Sequence, residues 1–272
     1  MKMLMNPVMN KEFKLRFRSI KSFLGLMFYL IAISVILVGF IFIESAAYGS
    51  TYFRPQDSRI MFMVLSFIQL GLVMFVTPGL TAGVISGERE KQTLNILLTT
   101  TQTSAGIIIG KLISSISYLL LMIVASMPIY SIVFLFGGIS PLQVLTVLGY
   151  YIVIILVFGS FGVLFSTLIR RTIISMITTY GTALFFAGGT AFLFAVSMQF
   201  GGLGPGSSPI PYFFAILNPF IVLMGFLEPS VVDELNRQTG ILFPLWAGQL
   251  IVYGFLFIAA LGVSIKKLRP KA

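Results

Sequence analysis

Long apolar stretches separated by short polar segments run through most of the chain. A helix needs about 20 mainly apolar residues to cross a bilayer core of about 30 Å. Six stretches reach this length, and we predict that each forms a transmembrane helix. They are Phe23–Ile43, Ile60–Ile85, Leu112–Phe136, Val144–Ile169, Ile173–Met198 and Phe243–Ile265.

A further apolar stretch, Tyr212–Leu227, has 16 residues and is interrupted by Asn218-Pro219. Because proline breaks a helix and the stretch is already short, we predict that it does not cross the membrane. It belongs to an outer segment, residues 199–242, in which we expect short re-entrant or interfacial helices. Non-helical backbone at membrane depth must be covered by protein or water.

The composition supports a membrane protein. Hydrophobic residues make up 57% of the chain and charged residues 10%, against about 45–50% and about 25% in an average soluble domain. These proportions disfavour a soluble enzyme, a disordered chain and a nucleic-acid-binding domain. The predicted fold class is therefore an all-α membrane protein, in which residues 1–272 form one transmembrane domain.

The net charge of +10 is explained by orientation in the bilayer. Six spans place both termini on one side, and 15 of the 18 Lys and Arg residues fall on that side. Membrane proteins collect basic residues in the cytoplasm. We therefore predict cytoplasmic termini and a lipid bilayer as the surroundings, and the charge requires no nucleic-acid partner.

The chain contains no Cys and no His. This excludes Ser-His and Cys-His catalysis, and metal sites built from thiolates or imidazoles. None of the predicted spans carries an ionisable residue near its middle, which disfavours a proton- or sodium-driven carrier. We therefore expect no catalytic residues and no metal site, and energy for any transport would come from elsewhere.

The segment Pro7–Ser22 has an amphipathic pattern that predicts a helix lying in the inner headgroup layer. One interpretation is a simple orientation anchor, and the other is a mechanical element that also contacts a cytoplasmic partner. We expect residues 1–22 to form this interfacial helix, with Phe13 and Phe17 on the apolar face and Lys14 and Arg18 on the basic face.

The cytoplasmic loop at residues 86–105, between the second and third spans, carries the most informative pattern. Ser86 is a residue type that caps helices, and Glu88 and Glu90 would follow in the first turn, where the helix dipole favours negative charge. An apolar edge formed by Leu94, Leu97 and Leu98 would then suit a groove in a soluble partner. The alternative is a surface helix that lies on lipid.

Glycines precede this loop at four-residue spacing, at Gly79, Gly83 and Gly87. Such spacing allows two helix backbones to approach closely. After the loop, Gly106–Lys111 resembles part of a phosphate-binding loop but lacks its spacing and its final Ser or Thr. We interpret Lys111 as a side chain that extends from a helix end to the membrane surface. The chain is therefore expected to hold no nucleotide site of its own.

Two sequence segments resemble a known family. The loop, GEREKQTLNILLTT at Gly87–Thr100 followed by Gly110-Lys111, resembles the inner loop of type-2 ABC exporter permeases. The start, NPVMNKEFKLRFRS at Asn6–Ser19, is similar to the bacterial branch that includes permeases linked to multicopper-enzyme maturation. Two positions depart from the family pattern. Gln92 stands where the family usually has Gly, and Thr101 stands where Pro is common.

The resemblance implies a dimeric exporter in the bacterial plasma membrane. Two permease chains, identical or homologous, would pair with two ATP-binding cassette subunits, which would carry the ATP and Mg²⁺. Ser86–Leu98 would form the coupling helix, with contacts to the ATPase from Gly87, Glu88, Arg89, Glu90, Thr93, Leu94, Leu97 and Leu98. Gly79 and Gly83 would serve permease packing, and the substrate route would lie between the permeases, lined by the second and fifth spans.

A second hypothesis is a membrane scaffold or assembly factor without its own transport cycle. The two hypotheses differ in whether an ATPase subunit accompanies the chain and whether its turnover depends on the chain.

Overall fold

A computed structural model describes residues 18–48, 55–94, 102–135, 137–200 and 208–268, and the regular structure in these ranges is entirely helical. Six helical segments there are long and apolar enough to span a membrane, which confirms the predicted fold class and the number of spans. In chain order the spans are Ile20–Tyr48, Pro55–Thr81, Ser104–Leu135, Pro141–Leu168, Thr172–Phe200 and Leu245–Leu268.

The chain enters the first span within the segment predicted as interfacial. Arg18 is exposed, and the helix of the first span already begins at Ile20. Phe13, Lys14 and Phe17 lie outside the described residues. Within the predicted interfacial segment, residues 20–22 therefore already belong to the helix of the first span.

The fourth span is the centre of the bundle. It packs against the second, third, fifth and sixth spans, and 72% of its most apolar window is buried, against 17% in the first span and 11% in the fifth. Its start is well specified, since the Ser140 hydroxyl accepts from the Leu142 N–H at 3.3 Å and Pro141 occupies the first turn. Most of the apolar surface of the first and fifth spans is therefore left uncovered by the rest of the chain.

The third span begins at Ser104, eight residues before the predicted start at Leu112. The Thr103 hydroxyl accepts the Gly106 N–H at 3.0 Å and so caps this helix. The helix therefore starts two turns before the apolar stretch from which the span was predicted, and Lys111 lies within it.

Two short helices, Ile210–Leu217 and Pro219–Leu227, form a sharply bent pair in the segment predicted to be re-entrant or interfacial. We name this bent pair the hairpin. Their axes differ by 93°, and at 1.5 Å per residue each is only about 12–14 Å long. The pair is therefore too short to cross a core of about 30 Å. An amphipathic helix, Pro229–Thr239, follows and ends at Gly240, whose φ is 71°.

Asn218 lies at the hairpin tip and is fully buried. Its side-chain oxygen accepts from the Phe220 and Ile221 N–H groups at 2.8 and 3.0 Å. Its amide nitrogen donates to the carbonyls of Phe186 and Ala187, at 3.2 and 2.7 Å. Those carbonyls belong to Phe185–Gly189, a π-helical turn within the fifth span, where the regular ladder is interrupted.

Neighbouring spans cover the remaining backbone of the tip. The Tyr253 hydroxyl donates to the Leu217 carbonyl and the Tyr150 hydroxyl to the Pro219 carbonyl, each at 2.8 Å. The irregular backbone is thus satisfied by protein groups, which a non-aqueous environment requires.

Candidate functional site at the loop end of the bundle

The loop after the second span is folded into a small unit, residues 85–94, which we name the loop platform. Pro55–Thr81 contains 27 residues and is about 40 Å long. This length already exceeds the membrane core, so the second span can cross it without the platform residues. The platform helix covers only Ser86–Glu90. This helix follows the second span after a turn at residues 82–85.

The predicted continuous helix Ser86–Leu98 is wrong. The helix ends at Glu90, and Gln92 adopts a left-handed φ of 59°. The chain then folds back, and the Thr93 N–H donates to the Glu88 carbonyl at 2.9 Å. The left-handed turn is the physical reason for the early end, because such a residue cannot continue a right-handed helix.

A serine from the fourth span caps the platform helix. The Ser166 hydroxyl accepts the backbone N–H groups of Ile85 and Ser86 at 2.8 and 2.9 Å. Ser86 itself lies inside the helix, and its hydroxyl donates to the Ala82 carbonyl at 3.2 Å. The expectation that Ser86 is the cap is therefore wrong, since a capping residue needs non-helical backbone.

Glu90 caps the fifth span in return. Its carboxylate accepts the backbone N–H and the hydroxyl of Thr172, both at 2.8 Å. Arg171 precedes that helix and provides no side-chain cap. The two hydrogen bonds from Thr172 hold the pKa of Glu90 below its usual value. The carboxylate is thus charged at neutral pH, where it also favours the positive end of the helix dipole.

Glu88 joins the platform to the third span. Its carboxylate lies 3.2 Å from the Lys111 ammonium and accepts a hydrogen bond from the Thr93 hydroxyl. Burial opposes the ionisation of Glu88, but the Thr93 hydrogen bond and the Lys111 charge outweigh it and lower its pKa. The Lys111 side chain is only 3% exposed. The expectation that it extends to the membrane surface is therefore wrong.

The fourth span receives a second contact from the platform. The Arg89 guanidinium donates to the Thr167 carbonyl at 3.1 Å, near the end of that span. Glu88, Arg89 and Glu90 thus contact the third, fourth and fifth spans respectively. Three consecutive charged residues tie the end of the second span to its three successors.

The platform's outward surface is polar. Glu90, Lys91, Gln92 and Thr93 are exposed, whereas Leu94 is only 6% exposed and packs in the core. Leu94 is therefore not available to a partner's groove as expected, because the turn at Gln92 directs the chain back to the bundle. Leu97 and Leu98 lie outside the described residues.

The closely spaced glycines face the fifth span of the same chain. A Cβ at Gly79 would lie 3.0 Å from the Tyr180 hydroxyl, and one at Gly83 would lie 3.2 Å from Thr172 Cγ2. At Gly87 the nearest atom is farther, at 3.8 Å. The predicted close helix approach is present, and within this chain Gly79 and Gly83 pack against the fifth span.

Sequence reasoning missed Ser166 and Thr172 as members of this site. Both are small hydroxyl residues next to the short polar connection that includes Arg170 and Arg171. Their position at helix ends was the available signal, because Ser and Thr are common there as caps. Among the described residues, no group of three or more Asp and Glu side chains could hold a metal ion.

Gln92 provides a test of the platform's backbone geometry. We expect Gln92→Gly to stabilise the protein by about 0.5–1 kcal/mol, since glycine adopts positive φ without steric cost. The matched control is Lys91→Gly, because Lys91 is equally exposed but has a right-handed φ of −79°. We expect Lys91→Gly to destabilise the protein by about 0.5–1 kcal/mol, since glycine is unfavourable where the backbone is right-handed. Thermal unfolding in detergent measures both, and equal losses in the two variants would contradict the assigned turn.

No protein-family model matches this chain, and no curated protein sequence matches it.

Proposed function

We propose that this chain is the permease subunit of an ATP-driven ABC exporter. The loop platform is the observation that supports this most directly. Movement of its exposed face, Glu90 to Thr93, would be transmitted to the third, fourth and fifth spans through Lys111, Thr167 and Thr172. A site that receives force from a soluble ATPase needs this combination of a polar outer face and rigid attachment.

The distribution of charge supports the orientation required by this function. Arg89, Arg170 and Lys267 lie at or beside helix ends on the platform side, and Lys111 is bound to Glu88 of the platform, whereas Glu228, Asp233 and Glu234 follow the hairpin. Under the positive-inside rule the platform and both termini are cytoplasmic and the hairpin faces outward. We place the protein in a bacterial plasma membrane on the basis of the family resemblance.

A second permease chain, identical or homologous, would complete the transporter. The fifth span leaves most of its surface open, including Leu184 at 73% exposure, and Phe75 of the second span is 65% exposed. The substrate would move outward between the two chains along these spans. Two ATP-binding subunits would bind ATP and Mg²⁺ and contact the platform of each permease.

Lys91→Glu tests this proposal. The tagged chain is purified in mild detergent from bacterial membranes and assayed for a stoichiometric ATP-binding cassette subunit and for ATP turnover. We expect Lys91→Glu to weaken retention of that subunit by about tenfold, equivalent to about 1.4 kcal/mol. Lys267→Glu makes the same charge change at the end of the sixth span and should retain the subunit.

Two results would contradict the proposal. If the wild-type protein is purified without an ATPase subunit, the result would favour a membrane scaffold with no transport cycle. Equal losses in Lys91→Glu and Lys267→Glu would show that the platform's exposed face is not the docking surface.

A further inference from the structure

The connection between the fourth and fifth spans places two exposed arginines beside the loop platform. It consists of residues 169–171, since the fourth span ends at Leu168 and the fifth begins at Thr172. Arg170 and Arg171 are both exposed. The backbone on either side of Arg170 is extended, with ψ angles of 129° at Ile169 and 125° at Arg171. The connection is therefore a short basic segment between two membrane spans.

Arg89 of the platform lies next to this connection. Its guanidinium donates to the Thr167 carbonyl at 3.1 Å, and it is close enough to Arg170 for the two positive charges to repel. Burial and the charge of Arg170 lower the pKa of Arg89. Within the described part of the chain, no ion pair includes Arg89 or Arg170. The two guanidinium groups therefore carry positive charge that no carboxylate of these residues balances.

The two carboxylates of the platform are already engaged. Glu88 forms an ion pair with Lys111 at 3.2 Å. Glu90 accepts both hydrogen bonds from Thr172 and lies close enough to Arg171 for their charges to attract. Neither carboxylate is thus free to act as the counter-ion of the other two arginines. An anion placed between like charges is attracted by both and offsets their repulsion.

Exposed apolar side chains flank the connection on both sides. Leu168 is 46% exposed at the end of the fourth span, and Ile173 and Ile174 are 72% and 46% exposed at the start of the fifth. Basic residues directly beside the ends of membrane helices attract anionic lipid headgroups. A free inorganic anion would use only the arginines, whereas a phospholipid also places acyl chains against the apolar side chains. The combination favours a lipid.

We propose that Arg89 and Arg170 bind the headgroup of one anionic phospholipid, such as phosphatidylglycerol, whose acyl chains lie along Ile173 and Ile174. Guanidinium groups suit a phosphate because they can donate two parallel hydrogen bonds to it. A zwitterionic lipid binds less well, since its ammonium group brings a third cation to the site. The site does not depend on the proposed export function, because a scaffold with these arginines would bind the same lipid.

The absence of cysteine from the chain makes the site testable, because a fluorophore can be attached at one chosen position. Ile173→Cys in the full chain is labelled with bimane and reconstituted in phosphatidylcholine vesicles. A small fraction of phosphatidylglycerol carries an acyl-chain nitroxide, which quenches bimane on contact. Phosphatidylcholine with the same nitroxide is the reference. We expect phosphatidylglycerol to contact the label about 5- to 25-fold more often, since each basic residue favours an anionic headgroup about fivefold.

Two further variants separate the site from general attraction of anionic lipid. Arg170→Gln, made in the labelled protein, should lower the preference for phosphatidylglycerol about fivefold. Lys267→Gln is the matched control, since it removes one exposed positive charge at the end of the sixth span. It should leave the preference unchanged. Thermal unfolding checks that both variants are folded, and the exposed position of Arg170 makes its replacement mild.

Three results would overturn the proposal. Equal quenching by the two lipids, with Arg89 and Arg170 intact, would leave these arginines to an acidic surface of a soluble partner. Equal losses of preference in Arg170→Gln and Lys267→Gln would show diffuse attraction without a site. Displacement of the quenching lipid by soluble glycerol phosphate would show that the arginines bind a free anion.

Discussion

Gly162→Ala is expected to destabilise the folded protein by about 3 kcal/mol. Gly162 lies in the fourth span, where an added Cβ would be 1.9 Å from Thr81 Oγ1, 2.7 Å from Thr81 Cβ and 3.1 Å from the Ala82 backbone nitrogen. A rotation of Thr81 relieves only the first contact. The backbone of the second span must then move away, and forcing atoms into a packed interior costs about 1–3 kcal/mol or more.

Gly149→Ala is the matched control for this prediction. It makes the same change in the same helix, but nothing lies within 4 Å of the added Cβ. Because alanine has a higher helix propensity than glycine, this variant should be unchanged or slightly more stable. Unfolding in denaturant, with the yield of monodisperse protein, measures both variants. Similar stabilities would contradict the close contact between the second and fourth spans.

Asn218→Ala is expected to destabilise the folded protein by about 3–4 kcal/mol. It removes the cap of Pro219–Leu227 and the donor to the Phe186 and Ala187 carbonyls. These backbone groups are buried where water cannot replace the lost partner, and each unsatisfied group costs about 1–3 kcal/mol. The result would be separation of the hairpin from the fifth span.

Asn236→Ala is the control for the loss of an asparagine amide. Asn236 lies in the amphipathic helix, and its side-chain oxygen has no hydrogen-bond partner. Its replacement should therefore cost less than about 1 kcal/mol, because no hydrogen bond of that oxygen is lost. Thermal unfolding and protease cleavage of the hairpin compare the two variants. If they lose equal stability, the hydrogen bonds of Asn218 do not hold the hairpin in place.

The spans were predictable from sequence because each depends on a continuous apolar stretch of sufficient length. The hairpin break was also predictable, since Asn218-Pro219 interrupts such a stretch locally. The contact between the hairpin and the fifth span was not predictable, because nothing in the apolar pattern around Phe185–Gly189 distinguishes a π-helical turn from regular helix.

The platform shows the same division between local and distant information. Glu88 was correctly placed in a first helical turn from its neighbours alone. The roles of Ser166 and Thr172 depend on residues about 80 positions away, which periodicity does not connect. The left-handed conformation of Gln92 was missed because glutamine has no preference for it, and this error placed Leu94 on the wrong face.

The reciprocal caps also impose an order on biosynthesis. A ribosome delivers the platform to the membrane about 80 residues before Ser166 and Thr172. During that interval the first three spans are inserted while the Ile85 and Ser86 N–H groups and the Glu90 carboxylate still lack these partners. The platform can therefore be completed only after the fifth span has started to enter the bilayer. A nascent chain that stops before this point lacks both caps and therefore the completed platform.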